Sequence, residues 1–156
     1  MCIRDRIDTG HFERLVNLQN LDLGRNQIME IERGAFDSLT NLQVLELDRN
    51  QIRRIDAGHF EKLANLQNLD LSRNQIAEIE GEVFDSLTNL QVLGLGNNEI
   101  TSIEEGDVND LPNLEVLLLY FNQITSIESG AFAGLCLLYT YPSPRDATLS
   151  RMPSSA

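Results

Sequence analysis

Cysteine is scarce in this chain: there are two, Cys2 and Cys136, each near one end of the 156 residues. With none between them, neither a disulfide framework nor thiol chemistry can organise the interior. Long apolar runs are missing too, and no stretch approaches the ~20 residues that a membrane-crossing helix requires. None of the many asparagines stands in Asn-x-Ser/Thr, which favours a bacterial or intracellular setting over a glycosylated animal ectodomain. Basic residues are outnumbered 12 to 24 by acidic ones, for a net charge of −12. Such a surface repels phosphate backbones and anionic headgroups, so the expected partners include no nucleic acid and no direct membrane contact. A basic partner or a metal ion is attracted instead.

Catalytic constellations are absent as well. His11 and His59 are the only histidines, and no serine or cysteine nucleophile is placed beside either by spacing. Glycines are scattered rather than clustered into a phosphate-cradling loop. The acids Glu78, Glu80, Glu82, Glu104 and Glu105 lack the spacing of converging calcium ligands. The expectation is a non-enzymatic chain with no catalytic, cofactor-binding or metal residues.

What is present is repetition. Leu15, Leu39, Leu63, Leu87 and Leu111 lie 24 residues apart, and Leu135 falls on the next step. The clearest copy, LANLQNLDLSRNQI at 63–76, carries Leu63, Leu66, Leu69, Leu71 and Asn74, followed by Ile76 and Ile79. Inside each copy a Leu-x-Leu alternation (Leu21/Leu23, Leu45/Leu47, Leu69/Leu71, Leu93/Leu95, Leu117/Leu119) predicts a short strand buried on one face. Strands so far apart cannot pair as hairpins. Each must return parallel through a crossover, and the crossovers carry Ile, Ile, Gly and Phe rather than a helical pattern. A single copy buries too little apolar surface to offset the ordering of its backbone, so copies must stack. A longer period also shows: copies beginning HFE alternate with copies containing FDSLTNLQV, so the unit of duplication is two repeats.

The order Leu-x-x-Leu-x-x-Leu-x-Leu-x-x-Asn at a period of 24 resembles the leucine-rich repeat, in its typical class. The resemblance implies an α/β-type repeat solenoid: a right-handed horseshoe segment with a concave parallel sheet of five short strands and irregular or short-helical convex crossovers. It also implies a buried ladder at Asn26, Asn50, Asn74, Asn98 and Asn122, joining the backbones of adjacent turns. Phe12, Phe36, Phe60, Phe84 and Phe132 form a second structural column, a ring stack broken at Val108. Asn17, Asn41, Asn65, Asn89 and Asn113, just before the strands, read as turn-bonding residues.

The ends depart from the repeat. Residues 1–6 (MCIRDR) and 136–156, which begin CLLYT, resemble translated sequencing adapter: a transposon mosaic end at one terminus and its reverse complement at the other. On that reading 1–6 and 136–156 are non-native, the tail is disordered, and 7–135 is a half repeat plus five uncapped repeats from a longer gene. Setting aside Arg4, Arg6, Arg145 and Arg151 with Asp5 and Asp146 leaves 8 basic and 22 acidic residues, a net charge near −14. Uncapped ends predict fraying or self-association.

Alternate strand residues point to opposite faces, and residues between the core leucines project onto the concave side that this family uses for partners. Asp22, Glu46 and Asp70 make an acidic column that changes to Gly94 and Leu118. Arg25, Arg49 and Arg73 make a basic one that changes to Asn97 and Phe121. Between them run Gly24, Asp48, Ser72, Gly96 and Tyr120. The two charged columns are expected to balance each other, and Gly94 with Gly96 to leave a shallow floor beside Leu118, Tyr120 and Phe121. The functional expectation is a recognition module that binds a protein or peptide through this face. Its rivals are a substrate-recruiting piece of a larger enzyme, of receptor-kinase or ubiquitin-ligase type, and a structural or adhesion spacer. The resemblance implies an extracellular or cell-surface location, with a cytoplasmic one as the alternative.

Overall fold

A computed structural model describes residues 5–108, 110–135 and 137–138. The disorder expected of the tail, and most of the adapter-like ends, lie outside those residues. Leu-x-Leu strands appear once per turn, at Asn20–Asp22 (β2), Val44–Glu46 (β4), Asn68–Asp70 (β6), Val92–Gly94 (β8) and Val116–Leu118 (β10). They form one parallel sheet in chain order, and the register advances by one repeat per strand: Leu21 faces Leu45, then Leu69, Leu93 and Leu117. This is the five-stranded sheet that the repeat predicts. The crossovers are of the irregular kind, built from turns, and the described residues contain no helix. Inward leucines and isoleucines from every turn merge into one continuous core.

Behind that sheet run shorter strands that the leucine pattern does not announce. They are Arg6–Ile7 (β1), Glu30–Ile31 (β3), Arg54–Ile55 (β5), Glu78–Ile79 (β7), Ser102–Ile103 (β9) and Ser126–Ile127 (β11). They pair only two by two, β1 with β3, β5 with β7, and β9 with β11. Side chains divide the back in the same way. Glu32 accepts a hydrogen bond from the Thr9 amide at 2.8 Å, Glu80 from Ala57 at 2.9 Å and Glu128 from Glu105 at 3.1 Å, each within a pair. Arg6 bridges to Asp8, Glu30 and Glu32, and Arg54 to Asp56 and Glu80, again within pairs. The two-repeat period read as a trace of duplication is therefore also a physical unit. Every crossover starts with a carboxylate, Asp8, Glu32, Asp56, Glu80, Glu104 and Glu128 in turn, but among the described residues only Glu32, Glu80 and Glu128 reach back to the turn before. One backbone bond, from the Glu82 amide to the Gly106 carbonyl at 3.2 Å, crosses a junction.

This segmentation predicts an exchange pattern. Arg33 and Gly81 occupy the positions of Thr9, Ala57 and Glu105 but face the junction between pairs, where no equivalent carboxylate bond forms among the described residues. A hydrogen bond is worth ~0.5–1.5 kcal/mol net, so amide exchange at Arg33 and Gly81 should run up to about tenfold faster. Equal protection at all five amides, measured by NMR hydrogen exchange, would remove the pair as a unit.

Two other columns hold neighbouring turns together. Phe12, Phe36, Phe60 and Phe84 stack with centroids 5.8, 6.2 and 6.3 Å apart and planes within 17°. Val108 is fully buried in the same column, and Phe132 beyond it is half-buried. The amides of Asn41, Asn65, Asn89 and Asn113 do not serve their own turns. Each donates across to the preceding repeat, to the carbonyls of Val16, Thr40, Ala64 and Thr88 at 2.7–2.9 Å. The expectation of local turn bonding is thus corrected, because the stacked neighbour brings its carbonyl within reach first.

Candidate functional site

Every Leu-x-Leu strand ends in a backbone reversal, and the residue just before the ladder asparagine makes it. Arg25, Arg49, Arg73, Asn97 and Phe121 all take left-handed conformations, with φ between 54° and 59°. Glycine and asparagine enter this region most readily, and other residues at a cost of ~1–2 kcal/mol. Only Asn97 is a residue suited to it. The turn swings these five side chains to the rim of the sheet, where the arginines are exposed and Phe121 keeps 59 % of its surface.

The ladder asparagines follow at once. Asn50, Asn74 and Asn98 are buried. The Asn74 amide donates to the Leu47 carbonyl of the turn before, at 3.0 Å, and to Leu71 of its own turn, at 2.9 Å. Its oxygen accepts from the Ile52 amide at 3.0 Å. Asn50, Asn98 and Asn122 make the equivalent three contacts. Asn26, in the first described turn of the sheet, bonds among the described residues to the Leu23 and Gly24 carbonyls, both local.

Inside the rim the strand registers assemble three columns on the concave face. Asp22, Glu46, Asp70, Gly94 and Leu118 are one, and Gly24, Asp48, Ser72, Gly96 and Tyr120 another. The third, Asn20, Val44, Asn68, Val92 and Val116, escaped the sequence reading. Its signal was available, since each member stands two residues before the next outward position and alternation places it on the same face.

Charge balance across this face does not form as expected. Among the described residues the single ion pair there is Arg49 with Asp48, at 3.6 Å, and no arginine bridges Asp22, Glu46 or Asp70. The arginines stand exposed at left-handed turns, and Arg49 alone comes within ion-pair distance of a floor carboxylate among the described residues. The Glu46 carboxyl is pushed above its ordinary value by partial burial first, and then by Asp22, Asp48 and Asp70 around it. Nor do the glycines leave an open floor. A Cβ at Gly24 would collide with an Asp48 oxygen, at Gly94 lie 2.6 Å from an Asp70 oxygen, and at Gly96 2.6 Å from the Tyr120 ring. Neighbouring side chains lean into each gap, and Tyr120 covers Gly96 with its ring while meeting Phe121 edge-on at 5.7 Å.

Elsewhere the polar groups are taken up by turns. His11 Nδ1 and His59 Nδ1 accept from the Asp8 and Asp56 amides at 2.9 and 3.0 Å, and Asp107 does the same for Glu104 at 2.7 Å. No group of three or more His, Cys, Asp or Glu is arranged for a metal ion among the described residues. A recess of about 280 Å³ on the crossover side, lined by Arg33, Gly58, Glu61, Glu82 and Asp85, mixes both charges.

Burial lowers His59 below the ordinary histidine value, so the folded state prefers neutral imidazole. Stability is then full above that value and declines as pH falls through it, levelling below the depressed one. Between about pH 7.5 and 5.5 the urea midpoint should drop, and His59→Ala should flatten that slope. An unchanged slope would show that His59 is solvated.

A family model described as leucine rich repeat matches residues 5–52, 16–76, 40–100, 64–124 and 88–139. Among solved structures, internalin C2 from Listeria monocytogenes is similar at 31% identity and a TM-score of 0.69, over 86% of this chain and 56% of that one. A TLR13–ssRNA13 complex is similar at 28% identity and a TM-score of 0.65, over 88% of this chain and 23% of that one. The chain thus spans a quarter to about half the length of these neighbours. No curated protein matches.

Proposed function

The chain belongs to the leucine-rich-repeat family, whose members are generally binding modules rather than enzymes, and on that premise we propose that it holds a protein or peptide on its concave sheet. The observation that carries this is where the repeats differ. Core leucines, ladder asparagines and ring positions recur turn after turn, while Asp22, Glu46, Asp70, Gly94 and Leu118 change along one register column. A spacer needs no such variation. Against a nucleic acid stands the excess of 24 acidic over 12 basic residues, although one structural neighbour is a complex with single-stranded RNA.

The test is selection of a random displayed peptide library on the full chain, followed by affinity measurement on variants. Leu118→Asp and Glu46→Lys should each weaken the selected peptides by about tenfold or more, and Glu61→Gln on the crossover side should leave them unchanged. Peptides indifferent to both concave substitutions would overturn the reading.

A further inference from the structure

We infer that the partner is a protein segment with a cationic half and an apolar half, lying across the strands with its basic side chains over β2 to β6 and its apolar ones over β8 and β10. The inference rests on the concave-face reading above and adds the partner's chemistry and polarity.

The face divides at the middle of the sheet. On the first three strands and the turns that follow them stand Asp22, Glu46, Asp48 and Asp70, with Asn20, Asn68 and Ser72 beside them and Val44 as the one apolar side chain. On the last two stand Val92, Val116, Leu118 and Tyr120, with Gly94 and Gly96, and no charge occurs at those positions. Both halves are continuous surfaces. Adjacent strands lie ~4.8 Å apart, so carboxylates in register repeat at that step, and the Tyr120 ring across Gly96 extends the apolar half toward the rim.

Charge complementarity selects the occupant. Among the described residues, of the four carboxylates only Asp48 has a cationic partner, Arg49, while Arg25 and Arg73 stand exposed at left-handed turns. The floor is therefore a field of one sign with little countercharge, and crowding of the carboxyls around Glu46 is relieved by an arriving cation. An acidic segment meets repulsion there. A uniformly basic one leaves Val92, Val116 and Leu118 facing unmatched charge. Four strand spacings from β2 to β10 amount to about 19 Å, which a helix covers in about 13 residues.

Fluorescein-labelled synthetic peptides of that length test the inference by anisotropy against the full chain. One has a lysine-rich half followed by a leucine-rich half, a second replaces lysine by glutamate, and a third interleaves the same lysines and leucines. The segregated lysine peptide should bind at least about tenfold tighter than either of the others. Glu46→Gln and Leu118→Asp should each weaken it, added salt should weaken it further, and Tyr120→Ala should weaken it if Leu118→Asp proves unfolded by circular dichroism. Preferential binding of the glutamate peptide, still sensitive to Leu118→Asp, would overturn the assigned polarity and leave the concave reading standing. Binding of the lysine peptide that ignores every concave substitution would overturn both.

Discussion

Replacing Asn74 by alanine should lower the unfolding free energy by about 2–6 kcal/mol, read as a shifted urea midpoint at an unchanged slope. The size follows from what is stranded. The Ile52 amide loses its partner in a site where Asn74 itself is buried, at ~1–3 kcal/mol. The Leu47 and Leu71 carbonyls keep one bond each, from Asn50 and Asn98, and lose the second, at ~0.5–1.5 kcal/mol each. Asn26→Ala supplies the control. Among the described residues its amide serves only the Leu23 and Gly24 carbonyls, both local, and Leu23 keeps a second donor in Asn50, so its loss should cost about 1 kcal/mol. Asn74→Asp separates the two functions of the amide, because a carboxylate still accepts from Ile52 but cannot donate to either carbonyl. It should fall nearer to alanine than to asparagine. Equal costs at positions 26 and 74 would mean that the ladder does not join turns.

Phe60→Ala should cost about 3–5 kcal/mol. The ring is fully buried and lies 6.2 Å from Phe36 and 6.3 Å from Phe84, so its removal opens a cavity walled by two rings. Phe132→Ala, at the half-buried end of the same column, should cost markedly less. Circular dichroism across a urea titration of both variants checks the difference. A Phe60 loss no larger than that at Phe132 would show that the back of the core collapses around missing rings, and that the stack carries little of the stability.

Much of the fold was legible because a solenoid is nearly one-dimensional. Leucines at a constant step can be buried only if every turn repeats the one before it, so the strand positions, their parallel register and the inward faces follow from spacing alone. The site was legible only in part. Alternation puts Asp22, Glu46 and Asp70 on one face with Leu118, but spacing alone also sets Arg25, Arg49 and Arg73 beside them as counter-ions. What separates them is a left-handed turn at each arginine, a conformation for which neither arginine nor phenylalanine is a marker. The floor expected at Gly94 and Gly96 is covered by Asp70 and Tyr120 for a related reason: a side chain leans into whatever space its neighbouring strand leaves.

By itself, then, the sequence determined the period, the register and the identity of the core, since these depend on how often an apolar residue recurs and on little else. Only the tertiary structure decided which polar groups reach across turns. The amide of Asn41 has turn backbone close to it in sequence, but the Val16 carbonyl is brought to 2.9 Å only by stacking. Glu32 reaches Thr9, and Arg6 reaches Glu30 and Glu32, by the same adjacency, and so the convex side is divided into pairs of repeats. Hydrophobic burial is non-directional and can be read from pattern. Hydrogen bonds and ion pairs act over a few ångströms and in particular directions, so their partners exist only once the turns are stacked.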